Sequence, residues 1–461
     1  MSVDGHAGSQ RRTPLLGDWL NFQRDRLGFL TDCHRRYGET VRLRIVLPTF
    51  LINNPDDIHH VIVAGEANYA KSWLTTGRAG RRLFGKGLVT RQRHTHIRQR
   101  RLVQPAFHRQ VLAAFVDAIQ SQVEAMLNRW TDRAVVDVTA EMDRFAEAVL
   151  INALLGELDP EVRRRLSEAN RARRRFINHA FSTLVPVHAL LPTAGNLTYR
   201  RALRAQKQIL LELVHRAGTG GRERVTLLEQ MASFETGHAD RLSEADLIEE
   251  ALELLTAGFE TTREALTWAC YFLATNPDEA ARVRDEVAGV VGDRAVRADD
   301  VPRLVYTSMF FSEALRLCPP VWMFVRVAIE DDVLPSGVRV PGGSKIYLCQ
   351  YTAHRNPEFF PDPERFDPER FHPDARHGRP RFSYFPFGGG ARVCVAEALA
   401  RLEGVLLLAS IARRFDLELC PGQQVEPVGA ITLRPKHPIR LGVQIARVQD
   451  GIDSDRVASS G

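Results

Sequence analysis

From Ser243 to Asn276 the sequence reads as one helix, ~50 Å long at the usual rise per residue. Ser243 with Asp246 gives it a capping-box start, and Pro277 stops it. The rod lies in a stretch, Pro55 to Leu317, where helical patterns dominate, with breaks near Gly85-Lys86-Gly87 and around Pro186 to Pro192. Strand-like segments are few. Thr40 to Asn53 reads as a hairpin, and short strands are expected at Phe324–Ile329, Val338–Val340, Lys345–Tyr351, Ile431–Leu433 and Ile439–Val443. A Pro-rich meander, Asn356 to Phe387, leads into a further helix, Ala396 to Arg414. The strand–helix alternation of a doubly wound sheet is absent, so the expected fold class is mainly α with a minor β part.

The chain has 461 residues, 44% of them hydrophobic, enough for a substantial core and against wholesale disorder. One large domain is expected over residues 13–448, with disordered ends at 1–12 and 449–461 from their Gly, Ser and Asp content. The net charge of +6 is spread along the chain without a nucleic-acid signature, so no nucleic acid is expected as partner. The six cysteines are dispersed with no C-x-x-C pair, which suits a reducing compartment better than a disulfide framework or zinc site. No stretch approaches the ~20 apolar residues of a transmembrane segment, and Met1 to Arg12 lacks the apolar core of a secretory signal. A cytoplasmic, soluble, monomeric enzyme is the expectation.

Two segments carry chemistry. Pro386-Phe387-Gly388-Gly389-Gly390-Ala391-Arg392-Val393-Cys394 is a glycine-rich loop placed just before an apolar helix. Three glycines let backbone approach a large flat ligand, and the helix N-terminus favours negative charge on the Cys394 sulfur. Arg392 is close enough to neutralise a carboxylate on the same ligand, so a thiolate-ligated haem fits the loop. The second segment is Thr256-Ala257-Gly258-Phe259-Glu260-Thr261-Thr262, in the middle of the long helix. Glycine and β-branched threonines weaken a helix interior, and a threonine hydroxyl can bond a carbonyl one turn back. Local opening is expected there, giving a polar notch to which Glu260 and Thr261 deliver protons.

Phe387, Gly390, Arg392 and Cys394 stand in the order F-x-x-G-x-R-x-C, which resembles the haem-binding loop of the cytochrome P-450 superfamily. Ala396 stands where that family usually has glycine. The long-helix segment is similar to the family's A-G-x-[DE]-T-T, and Glu313 with Arg316 to its E-x-x-R. Pro368-Glu369-Arg370-Phe371 is similar to the motif carrying its second structural arginine, and His96 to Arg100 to its W-x-x-x-R helix, with histidine for tryptophan.

The resemblance implies haem b as cofactor, with Cys394 as its iron ligand and O2 as co-substrate. It implies that Ala257 and Gly258 shape an oxygen-binding bend and that Glu260 and Thr261 act in catalysis. Phe387 and Gly390 belong to the implied cofactor loop. His96, Arg100, Arg326 and Arg392 are expected to hold the propionates, Arg326 being the only charge among the apolar residues of its strand. Glu313, Arg316 and Arg370 are expected to be structural. Arg98, Arg101 and Arg109 are expected to be solvated or to help bind an electron donor. The implied activity is insertion of one oxygen atom into a small lipophilic substrate such as a terpene, fatty acid or polyketide. Electrons would come from a ferredoxin or flavodoxin with its NAD(P)H reductase. Substrate contacts are expected near Trp73–Leu74, Leu83–Val89, Phe176–Leu184, Val321–Phe324 and Ile431–Leu433. The Arg-rich run Arg163 to Arg175 reads as a solvated helix face, or one that catches a carboxylate or phospholipid headgroup. A peroxide-using or isomerising haem enzyme and a non-catalytic haem sensor are the rival readings.

Overall fold

A computed structural model of the chain describes residues 17–45, 47–182, 193–217, 226–234 and 240–446. The ends assigned to disorder and the break around Pro186 to Pro192 lie outside those residues. The fold is mainly α with a minor β part, and the central rod organises it.

The opening hairpin forms as β1 (Thr40–Ile45) and β2 (Leu47–Ile52), antiparallel with Thr40 opposite Ile52. A strand that the sequence reading missed, β3 (Tyr69–Lys71), follows. Then come α1 (Arg93–Val103), α2 (Val138–Leu155), α3 (Pro160–Ser182) and α4 (Ala194–Ala217). The rod is α5 (Glu244–Thr275), with Ser243 and Asp246 closing the capping box and Asn276 ending it before Pro277. Next is α6 (Val305–Leu317), then β4 (Phe324–Ala328), β5 (Lys345–Leu348), α7 (Glu397–Arg414), β6 (Pro427–Gly429) and β7 (Leu433–Pro435).

Two expected strands are corrected. The segment at Lys345–Tyr351 stops at Leu348, whose partner Phe324 begins β4, so pairing runs out there. The chain then makes a helical turn, Gln350–Ala353, which buries Gln350, Thr352 and Ala353. At the C-terminal end, Ile431 and Thr432 lie in the β6–β7 turn, and the strand is Leu433–Pro435.

The five-stranded sheet has the order β1-β2-β5-β4-β3, with β2 and β5 parallel and the other pairs antiparallel. The last pairing sets Lys71 opposite Arg326. One apolar core gathers residues from Phe22 to Val443, and α5 supplies its centre through Phe259, Leu266, Trp268 and Leu273. Trp268 Nε1 donates to Leu433 O at 3.0 Å, so burying this indole strands no polar atom.

Glu313 and Arg316, both 0% exposed, lock α6 to the meander. Arg316 donates twice to Glu313, at 2.7 Å each, and also reaches His354 O at 2.9 Å and Pro363 O at 2.8 Å. Glu313 Oε1 accepts from Asp367 N at 2.9 Å and lies 3.6 Å from Arg370 Nε. A buried ion pair is tolerable only when its remaining donors and lone pairs are used, as here. The meander thereby becomes a rigid support for the loop that follows it.

Candidate functional site

The cysteine loop is held in a shape that only glycine permits at two positions. Gly388 and Gly390 have φ of +74° and +62°, and a Cβ at 390 would lie 2.2 Å from Ile62 O. Gly388 N donates to Phe385 O at 2.9 Å, and Cys394 N donates to Phe387 O at 2.9 Å, closing the loop on itself. Arg401, from α7, stacks its guanidinium 4.9 Å from the Phe387 ring centre.

Cys394 lies deep in the fold yet exposed to an interior cleft, whereas Cys33, Cys270, Cys318 and Cys349 are buried. Burial pushes its thiol up to about 11, against the Ala396 N–H hydrogen bond and the nearby Arg100 charge. The Ala396 N–H and the Arg100 charge favour the thiolate, and a metal ion bound at the sulfur would favour it further.

His96 and Arg100 share one face of α1, four residues apart. Arg100 turns toward the loop, with Nη1 donating to Val393 O at 2.7 Å and Nε to Gln104 Oε1 at 3.0 Å. His96 is 4% exposed, and burial followed by the charges of Arg392, Lys71, Arg100 and Arg326 lowers its pKa to about 3. It is therefore a neutral imidazole at physiological pH. Arg326 is 6% exposed on β4 and lies 4.9 Å from the Phe324 ring centre. Burial and Arg392 push it down to about 10.

The fold thus brings all four expected cofactor-edge residues together, and adds one that sequence reasoning missed. Lys71 on β3 is opposite Arg326, donates to Val89 O at 2.7 Å, and is pushed down to about 7 by burial, Arg326 and Arg392. The missed strand hid it: a lone lysine in Tyr69-Ala70-Lys71 carries no motif. Against this positive charge stands Glu66, 3.6 Å from Arg392 Nε.

Above the loop, α5 runs unbroken through its Gly and Thr residues, so the expected opening of the helix is not found. Thr261 Oγ1 donates to Ala257 O at 2.8 Å, and Thr256 Oγ1 to Leu252 O at 2.8 Å, sharing carbonyls without breaking the ladder. Ala257 is exposed and Thr261 partly so, although α5 is the central helix, which places this face on the cleft. Gly258 faces elsewhere: a Cβ there would lie 3.3 Å from Leu150 on α2, so it serves close packing. Glu260 is 9% exposed and accepts from Asn178 Nδ2 of α3 at 2.6 Å, with Arg174 and Arg263 nearby. Two residues after Glu260, Thr262 faces Glu403 of α7, linking the helix above the cleft to the helix that follows Cys394.

Of the expected substrate-contact stretches, Leu83, Phe176 and Ile431 meet in one apolar cluster with Tyr199. Trp322 is buried, its Nε1 donating to Ala430 O at 2.9 Å. The Trp73 and Leu74 side chains and residues 183–184 lie outside the described parts. Arg98 pairs with Asp240, while Arg101 and Arg109 are exposed. Among the described residues no helix is long and apolar enough to cross a membrane.

Comparison with known proteins agrees with this geometry. A family model described as cytochrome P450 matches residues 8–443. Cyclooctatin synthase of Streptomyces melanosporofaciens is 34% identical over 438 residues, 93% of each chain. Pentalenene oxygenase of Streptomyces avermitilis is 29% identical over 435 residues, 94% of this chain and 95% of its own. The solved structure of retinoic acid bound cyanobacterial CYP120A1 superposes with a TM-score of 0.82 at 26% identity, covering 94% of this chain and 98% of that one.

Proposed function

This chain belongs to the cytochrome P450 family, and on that premise we propose that it inserts one oxygen atom from O2 into a lipophilic, terpene-like substrate. The observation that carries the reading is the crowd of cations behind Cys394. Arg392 lowers the proton affinity of both Lys71 and Arg326, and Arg326 lowers that of Lys71, with Glu66 the carboxylate beside Arg392 and Glu253 the one facing Lys71. Such a cluster suits a ligand that brings two negative charges of its own, as the propionates of haem do. The residues present fit the cofactor that the family implies.

Haem b, when bound, supplies the activation of O2 and the oxidation of an unactivated carbon. Cys394 would provide the sulfur ligand, and Gly390 and Phe387 would shape the loop that carries it. Arg100, Arg326, Arg392 and Lys71 would hold the propionates, with neutral His96 as a hydrogen-bond donor. Ala257 keeps the opposite wall low. Thr261 has committed its proton to Ala257 O, so its lone pairs are left to accept a hydrogen bond in the cleft. Glu260 is tethered by Asn178, which also lines an open cleft, so a proton from solvent has a route to the Glu260 carboxylate.

Two relatives bear names drawn from the terpenes cyclooctatin and pentalenene, and a third similar protein was solved with retinoic acid. Those names support a terpene-like substrate, as does the apolar cluster of Leu83, Phe176 and Ile431. A ferredoxin or flavodoxin with its NAD(P)H reductase supplies the electrons. The test is turnover of cyclic terpenes under isotopically labelled O2. The expected product carries one labelled oxygen and requires NAD(P)H and the redox partners. Product formed with hydrogen peroxide alone, or labelled from water, would overturn the reading.

A further inference from the structure

We propose that the cleft between the N-terminal helices Gly17–Arg24 and Arg26–Tyr37, α3 and the β6–β7 hairpin binds the anionic end of an amphiphilic substrate. The proposal rests on the monooxygenase reading and narrows its substrate class to lipophiles that end in a carboxylate or phosphate. This open cleft, of about 1000 Å³, receives six cations, Arg24, Arg26, Arg175, Arg263, Arg434 and Lys436, against the carboxylates of Asp25 and Glu426.

Two of the six are paired with carboxylates, and a third, Arg26, is held by neutral acceptors. Lys436 pairs with Glu426 at 2.8 Å, Arg263 with Glu264 and Asp143, and Arg26 donates to Gly429 O and Gln23 Oε1. Asp25 is occupied in accepting from Gly28 N at 2.9 Å. Arg24, Arg175 and Arg434 are left with no carboxylate at ion-pair distance among the described residues. They come from three separate elements, so their convergence is a property of the fold and not of a charged run. In the run Arg163 to Arg175, Arg164 pairs with Glu161 and Glu168, and Arg173 and Arg174 are buried, while Arg175 opens into the cleft.

Leu27, Tyr351, Val428 and Ile431 give the same cleft apolar surface. Ile431 lines the cleft and also packs with the cluster of Leu83 and Phe176. Asn178 lines it too, and its amide holds Glu260, next to Thr261. A ligand with an apolar body and a charged head is thus matched along its length: guanidinium groups grip the head while the body points toward the reacting end.

The experiment uses the haem-loaded full chain and reads binding by the low-to-high spin Soret shift. Hexadecanoic acid and hexadecyl phosphate are compared with methyl hexadecanoate and hexadecanol, in the parent and in R175Q and R434Q, singly and together. Both side chains are exposed, so the fold does not depend on them. The expected result is that an anionic ligand binds at least about tenfold tighter than the ester, with a preference that falls with salt. The double variant should remove that preference and leave ester binding unchanged. The acid and phosphate arms identify which head is preferred. Equal affinity for acid and ester, or equal weakening of both by the variants, would overturn the proposal. Failure of every ligand to shift a protein whose ferrous carbonyl spectrum shows sulfur ligation would overturn it and leave the monooxygenase reading intact. Absence of that spectrum would overturn both.

Discussion

A methyl group at position 390 would sit 2.2 Å from the Ile62 carbonyl, in backbone at φ +62°. Neither obstacle is a flexible side-chain end, so the loop itself must move. Gly390→Ala is expected to lower stability by about 1–3 kcal/mol and to empty the protein of haem, read from the haem-to-protein ratio after purification. Gly388→Ala, with positive φ but open space around the added methyl, should be milder in the same assay. Lys71 gives the companion prediction at the cofactor edge. With bound propionates its proton is held, so Lys71→Gln should speed haem transfer to apomyoglobin roughly tenfold, about 1.4 kcal/mol of retention. An unchanged transfer rate would remove Lys71 from the clamp. The motif residues Cys394, Arg392, His96 and Arg100 were legible in the sequence because each stands at a fixed spacing from a glycine or another charge. Lys71 was not, because its place depends on β3 pairing with a strand more than 250 positions away.

The long helix was legible almost to the residue, since its cap, its proline stop and its apolar face are all local signals. Its expected opening was not, and the reason is energetic. The hydroxyls of Thr256, Thr261, Thr267 and Thr275 each share the carbonyl one turn back, at 2.8–2.9 Å, and packing on α2 and α7 holds the ladder closed. Packing likewise decides the ionisation of Glu403, which no sequence signal reported. Burial on α7 pushes its carboxyl up to about 8, against the Thr262 hydrogen bond. The folded chain therefore holds a proton that the unfolded chain releases near 4.5. This contribution is full below that pH and is lost as pH rises toward 8. Glu403→Gln keeps the acceptor for Thr262 and removes the titration. Its thermal midpoint should gain on the parent between pH 5 and 9, by roughly 1–3 kcal/mol in stability. A constant difference across that range would show Glu403 ionised throughout.

In the molecule as a whole, the ion network under the meander connects fold to function. Glu313→Gln would leave Arg316, 0% exposed, without its anion, a cost of about 3–5 kcal/mol. The expected phenotype is haem-poor, aggregating protein, seen by absorbance and size-exclusion chromatography, and not a clean loss of turnover. Sequence spacing gave the pair, but not that Arg316 also braces the carbonyls of His354 and Pro363, which depends on how the meander folds back. The mixed sheet was only partly legible for the same reason: its strands are short and pair across long stretches of chain. All of this architecture converges on the sulfur of Cys394. The most direct test is the spectrum of the reduced holoprotein under carbon monoxide, taken beside Cys394→Ala. The account predicts a red-displaced Soret peak, reporting anionic sulfur on iron, in the parent and its loss in the variant. A parent without that peak, or a variant that keeps it, would contradict the account.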